Sequence, residues 1–372
     1  MHLYLAMTRR FLIGLAALLL MAAPYHVAAA SHGSTKHAAS RKLTKEARET
    51  FLRSAQLWTP TNTSSLDIRS GPSGPSAFRP DALVTCDYVP TPRAGSSKKF
   101  SCKLGSGDVV KVRYGADNPE VEGSVLATRL LWALGFGADA AYPVRVICRG
   151  CSDDPWNSHD TFEGSHVFDI ATVERRPPGH EMQGDPAGWA WRELDAVDDA
   201  SGGAPRAQRD ALKLLAVFMQ HTDNKSEQQS LHCLPGGLER DEPCTKPFLI
   251  LHDVGLTFGH ANYFNRNVTA GVNFDLWSKT PIWRNREACI GHLSQAKTGT
   301  LGDPKIGEEG RAFLAELLAQ LTDQQIHDLF EIAHVERRSR KPNSAEPPAS
   351  VDEWVAAFQQ KRADITSTRC PA

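Results

Sequence analysis

The sequence predicts an α+β chain, with strands first and helices after. Three observations carry that reading. Between residues 82 and 114, three short runs of strand composition are separated by turn-forming loops. Directly after them, Val121, Val125, Leu126, Leu130 and Leu134 recur at helical spacing. From residue 206 onward, helical periodicity dominates.

Taken from the start, the first 30 residues have the three parts of a cleavable secretory signal. Arg9 and Arg10 are followed by an apolar run over 11–21 and by Ala28, Ala29 and Ala30, which places cleavage after Ala30. The run is short for a membrane span and is soon broken by Pro24 and His26, which sets a cleaved signal ahead of a retained anchor. No later segment is apolar enough for a span, so the expected location is periplasmic or extracellular. Residues 31–80 read as a linker with one short helix over 43–58, and the Thr, Ser, Gly and Pro of 59–80 mark loop. Strands follow over 82–89, 99–104 and 108–114, joined by the loop 90–98 and the turn 105–107. Pro119 suits the first turn of the next helix, which Gly135 ends. Further strands are expected over 141–148, 168–174 and 248–251. Helices are expected over 206–220, 309–321, 322–333 and 351–362.

The 372 residues hold 42 Lys+Arg against 43 Asp+Glu, a net charge of −1. With no basic stripe interleaved with aromatics, nucleic acid is excluded as the expected partner. Eight cysteines in an exported chain suit disulfides. Cys86 and Cys102 lie equally far from the centre of the first loop, as hairpin partners do. Cys148 and Cys151 read as a local bridge, since no second CxxC and no following His accompany them. A Cys233–Cys244 bond would close a Pro/Gly-rich insertion, which leaves Cys289 with Cys370 by elimination. Trp189 and Trp191 read as core residues. His221, His252 and His260 lack zinc spacing and read as structural. Sequons occur at Asn62, Asn224 and Asn267.

The chemistry lies in the order of the motifs. A strand, a loop, a strand, a turn and a third strand with interior Lys111 lead into a helix that opens with Glu120 and Glu122. A core helix then ends in His221-Thr222-Asp223-Asn224-Lys225. A short apolar strand runs into Asp253-Val254-Gly255, with Phe258-Gly259 behind it. This order resembles the protein-kinase-like fold, nearest its atypical branch of secreted Golgi casein kinases, HipA-type kinases and phosphatidylinositol kinases. The resemblance runs from residue 82 to at least 260. It implies a two-lobed α+β fold, with an antiparallel-sheet N-lobe (81–175), a mainly helical C-lobe (176–340) and a C-terminal linker and helix (341–372).

Phosphoryl transfer asks the protein to position a nucleotide and neutralise charge rather than to do covalent chemistry. The resemblance accordingly implies that Lys111 holds the phosphates and that Glu120 or Glu122, with Glu122 favoured, holds Lys111. The loop with Gly95 and Ser96 would cover the phosphates in place of the Gly-x-Gly-x-x-Gly of ordinary kinases. Asp223 would act on the proton of the acceptor hydroxyl. Asp253 would hold metal, joined by Gln228, which stands where Asn is usual; Glu227 is the other candidate. The implied cofactor is ATP or another nucleotide with Mg²⁺ or Mn²⁺. The expected function is an exported kinase-like phosphotransferase acting on a hydroxyl of a protein, glycan or small molecule. A pseudokinase or binding module of the envelope is the alternative. A purely structural envelope protein is the third reading, and it requires Lys111, Asp223 and Asp253 not to meet in one cleft.

Overall fold

The computed structural model describes residues 41–239, 242–259, 271–293, 299–341 and 344–371. The signal segment, His260 and the sequon at Asn267 lie outside the described residues. A two-residue strand, β1 (Arg41–Lys42), precedes helix α1 (Lys45–Ser54), whose first turn is capped by the Thr44 hydroxyl accepting from the Ala47 amide.

The strand-rich segment folds as expected in its first three members, β2 (Ala82–Val89), β3 (Lys99–Leu104) and β4 (Val109–Tyr114). Helix α2 (Glu120–Ala133) follows, then β5 (Ala140–Arg149) and β6 (Ser165–Arg175). The sheet is not the antiparallel one expected. Its order is β2-β3-β4-β6-β5, and β5 pairs in parallel with β2 from Ala82↔Val144 to Asp87↔Arg149, which closes a five-stranded barrel. Closure satisfies the backbone groups that an open sheet would leave unpaired along its two edges. Alternation then fixes the two faces. Phe100 and Cys102 of β3, Val110, Val112 and Tyr114 of β4, and Ala171 and Val173 of β6 form the apolar interior. Lys99, Ser101, Lys111, Arg113, Thr172 and Glu174 lie on the other face, in two cross-strand rows: Lys99–Arg113–Thr172 and Ser101–Lys111–Glu174.

Strand β7 (His180–Gln183) and helix α3 (Arg206–Met219) lead to β8 (Gln229–Cys233) and β9 (Pro247–Leu251), and β1-β7-β8-β9 form a second sheet. Helices α4 (Phe274–Lys279), α5 (Glu308–Ala319), α6 (Asp323–Ile332) and α7 (Val351–Ser367) complete the second half. Phe218 of α3 packs with their aromatics Trp277, Phe330, Trp354 and Phe358, with Trp277 and Trp354 stacked at 5.3 Å. Trp189 and Trp191 are fully buried in the same core, 5.5 Å apart. The described residues belong to one compact unit with two apolar cores, and α2, expected in the N-lobe, packs into the larger core through Val125, Leu126 and Leu130 rather than into the barrel.

All four disulfides pair as expected: Cys86–Cys102, Cys148–Cys151, Cys233–Cys244 and Cys289–Cys370. The first differs in one respect. Cys86 faces Leu104 and Cys102 faces Tyr88, so the bond runs diagonally across the hairpin rather than between opposed partners. None of the described helices is long and apolar enough to cross a membrane.

Candidate functional site

The polar face of β3, β4 and β6 is roofed by the first turn of α2 and by the turn after β9. Two glycines let these meet. A Cβ at Gly123 would run into the carbonyl oxygen of Gly255, and a Cβ at Gly255 would come within 2.8 Å of the Glu120 Cβ. Asp253 itself sits at φ 53, an uncommon left-handed conformation for a residue with a side chain. This backbone turn aims the Asp253 carboxylate back at β4.

There it meets Arg113. The Arg113 side chain has no solvent exposure and binds Glu120, Glu174 and Asp253 at once, while its Nη1 donates to Ser97 Oγ at 2.9 Å. Lys111 pairs with Glu174, its cross-strand partner, and lies 3.6 Å from Asp253 Oδ1. Burial would raise the Glu174 and Asp253 carboxyls, but Arg113 and Lys111 hold both below the ordinary carboxylate range, Asp253 well below it. Both are therefore anionic at neutral pH.

The loop after α3 supplies the other wall. Gln220 caps the helix in the left-handed conformation, and the buried Asn224 ties the loop to residues 300–301, its Oδ1 accepting from the Thr300 and Leu301 amides at 2.7 and 2.9 Å. The sequon at Asn224 is thus inside the fold. Asp223 Oδ1 lies 3.0 Å from Lys225 Nζ, and Asp223 Oδ2 accepts from Gln228 Nε2 at 2.9 Å. The same Nε2 reaches Asp253 Oδ2 at 3.5 Å. Burial raises the Asp223 carboxyl despite Lys225. Behind the site, His252 bridges Asp139 Oδ1 and Ser230 Oγ, each at 2.7 Å, and anchors the residue before Asp253. His221 is enclosed and has no hydrogen-bond partner, and burial lowers it to about 4, so it is neutral and structural.

The sequence-derived candidates therefore divide. Lys111, Asp253, Gln228 and Asp223 come together, linked through two shared contacts. Glu120 joins them, but on Arg113 rather than on Lys111. Glu122 does not: its carboxylate is buried, has no hydrogen-bond partner, and is pushed by burial up to about 7. The charges of Arg338 and Arg337 offset that burial only in part. The carboxylate that holds Lys111 is Glu174. In the loop over the cleft, Ser96 is exposed, and its neighbour Ser97 is the buried one that reaches Arg113. Glu227 is exposed and makes no contact with the acids. Arg113, Glu174, Lys225 and Ser97 were missed. Period-two alternation could have flagged Arg113, two residues from Lys111, but Glu174 needed the strand register.

Whether these residues fit a divalent ion can be read from their donors and acceptors. Mg²⁺ asks for near-octahedral oxygen ligands. Here Asp253 Oδ1 is taken by Arg113 and approached by Lys111, and Asp253 Oδ2 faces an amide nitrogen. The Gln228 oxygen accepts from the Lys225 amide at 2.9 Å, and because that partner can only donate, the amide nitrogen must face the acids. Asp223 is engaged on both oxygens. Engaged in this way the donor set does not fit a divalent ion, and the buried Arg113 guanidinium is what neutralises Asp253.

No protein-family model matches the chain, and no curated protein does. Among solved structures, the crystal structure of the Helicobacter pylori proinflammatory kinase CtkA is similar over 78% of this chain and 95% of that one, at 10% identity and a TM-score of 0.37. A likeness that loose carries neither an activity nor a site to this chain.

Proposed function

We propose that the protein is an exported, kinase-like nucleotide-binding phosphotransferase that modifies a hydroxyl on an acceptor. The observation that supports it most is the meeting of residues from three separate segments. Gln228 touches both Asp223 and Asp253, and Lys111 and Arg113 of β4 neutralise Asp253 from the other side. A purely structural protein gains nothing from gathering partly solvated carboxylates and cations in one place, because buried ion pairs are weak contributors to stability. In this reading Asp223 orients the acceptor hydroxyl and takes its proton, a role that suits a carboxyl raised by burial toward neutrality. Lys225, 3.0 Å from Asp223, is placed to neutralise charge as the phosphoryl group moves. Four disulfides among the described residues suit an oxidising compartment.

The saturation of Asp223 and Asp253 by nitrogen donors favours a second reading, a protein that binds the nucleotide and turns nothing over. Nucleotide hydrolysis or autophosphorylation measured beside a thermal shift separates the two. Turnover lost in Asp223→Asn, with the nucleotide-induced shift retained, is the result expected for the enzyme. A shift with no turnover under any metal condition leaves the binding reading, and no shift with any nucleotide overturns both.

A further inference from the structure

The resemblance assigned the phosphates to Lys111, yet Lys111 and Arg113 are already committed to carboxylates. Lys99 is not. It stands beside Arg113 in register on β3 and is only 7% exposed. Among the described residues its ammonium makes no hydrogen bond and has no carboxylate within 4.0 Å, and its Nζ is not among the atoms sealed from solvent. Its one close partner is the face of Trp156, with the ammonium 5.7 Å from the ring centroid. A cation–π contact returns much less than the burial of an ammonium costs. Burial, reinforced by Arg113, lowers the Lys99 ammonium to about 8, so it still carries its charge at neutral pH.

The loop above is shaped around this ammonium. Gly95 has φ +112, and a Cβ there would lie 2.5 Å from Lys99 Nζ. The backbone conformation there favours glycine, and its missing side chain leaves the ammonium room. The same loop brings in Arg93, whose Nε donates to Ser101 Oγ at 2.8 Å and which also has no carboxylate within ion-pair distance. Two cations with no carboxylate in ion-pair distance among the described residues, one of them on a largely buried side chain, thus lie under a glycine-bearing loop. Such an arrangement is stable only at a cost to the empty protein, and the missing partner is an anion.

We propose that Lys99, rather than Lys111, takes the phosphate chain of the bound nucleotide, with Arg93 closing over it, and that this binding needs no divalent ion because Arg113 already bridges the carboxylates a metal would use. The proposal rests on the nucleotide-binding reading above and adds the group and the ion requirement to it. Lys111 and Arg113 become positioning residues that hold Asp253 and Glu174.

The test is calorimetric titration of the purified protein with ATP and with inorganic tripolyphosphate, each in EDTA and each in Mg²⁺, for the wild type, Lys99→Met and Lys99→Arg. The wild type is expected to bind both ligands in EDTA. Lys99→Met is expected to weaken both by about tenfold or more, the scale of one lost charge-assisted contact, while Lys99→Arg keeps most of the affinity. The melting midpoint of ligand-free Lys99→Met is expected to equal or exceed that of the wild type, since an unpaired buried charge has been removed. Unchanged affinity in Lys99→Met overturns the proposal, as does a lower ligand-free midpoint with affinity intact, which would mark Lys99 as structural. ATP binding that requires Mg²⁺ overturns the proposal and leaves the nucleotide reading standing. Tripolyphosphate binding without ATP binding keeps Lys99 as the anion site and removes the nucleotide. No binding of either ligand rejects both.

Discussion

Residues 110, 112 and 114 of β4 point into the barrel, and residues 111 and 113 point into the cleft. The two faces are one residue apart in sequence and are held by different physics. Inside, Phe100, Tyr114 and Phe168 meet with ring centroids 4.8–5.5 Å apart, and burial is rewarded whatever the exact side chain, provided the volume is kept. Outside, the enclosed guanidinium of Arg113 serves three carboxylates and a hydroxyl through a fixed fork of donors, and only that geometry will do. The interior therefore makes the fold, and the outer face makes the site on it.

The largest effects should come from truncating one residue on each face. Phe100→Ala is expected to cost about 3–5 kcal/mol by opening a cavity. Arg113→Ala is expected to cost a similar amount, about 3–5 kcal/mol, by stranding Glu120 without its cation and leaving Glu174 to Lys111 alone. The conservative replacements tell the faces apart. Phe100→Leu should recover most of the loss, whereas Arg113→Lys should not, because an ammonium cannot span the three acids. Urea denaturation of the four variants checks this, and an Arg113→Lys as mild as Phe100→Leu would break the comparison.

A buried carboxylate away from the cluster sharpens the same point. Glu122 lies two residues from Glu120 on the same helix yet has no hydrogen-bonding partner among the described residues, and burial raises its carboxyl to about 7. The folded protein thus holds this proton more tightly than the unfolded chain does, so the contribution to stability is full below about pH 4.5 and is lost as pH rises through 7. Glu122→Gln should accordingly be near neutral at pH 5 and stabilising at pH 8, by on the order of 2–3 kcal/mol. Stability curves of the two proteins that run parallel between pH 5 and 8 would show that Glu122 is paired after all.

How much of this was legible beforehand follows from the same contrast. The strands over 82–114, the helix after Pro119 and the C-terminal helices were readable because period-two and period-3.6 apolar patterns report burial directly. Three disulfides were readable from local spacing, and Cys289–Cys370 only by elimination. Barrel closure was not, because the parallel pairing of β2 with β5 depends on sheet twist and on which edges meet, and neither leaves a local pattern. In the site, Lys111, Asp223 and Asp253 were picked out by motif order. Glu174 was not, since its role exists only through its register with Lys111, 63 positions away in sequence. Neither Glu122 nor Glu120 meets Lys111; only Glu120 reaches β4, on Arg113, and two residues on a helix differ by about half a turn in direction, of which the sequence gives no sign.

The smallest effect, and the most specific, concerns Gln228. Its amide nitrogen stands between Asp223 and Asp253, where a divalent ion would need oxygen, and the Lys225 amide holds it in that orientation. Gln228→Glu replaces the donor with a carboxylate and places three acids together. Without added metal this should destabilise the protein by about 1 kcal/mol, through one lost hydrogen bond and like-charge repulsion. The same substitution supplies the oxygen ligand that the wild type lacks, so Mn²⁺ should raise the melting midpoint of the variant by mass action and leave the wild type unmoved. A wild-type midpoint that rises with Mn²⁺ and no nucleotide would mean that the Gln228 amide turns over and that Arg113 yields Asp253 to the ion. The polar face would then be an adjustable site rather than one whose cation is built in.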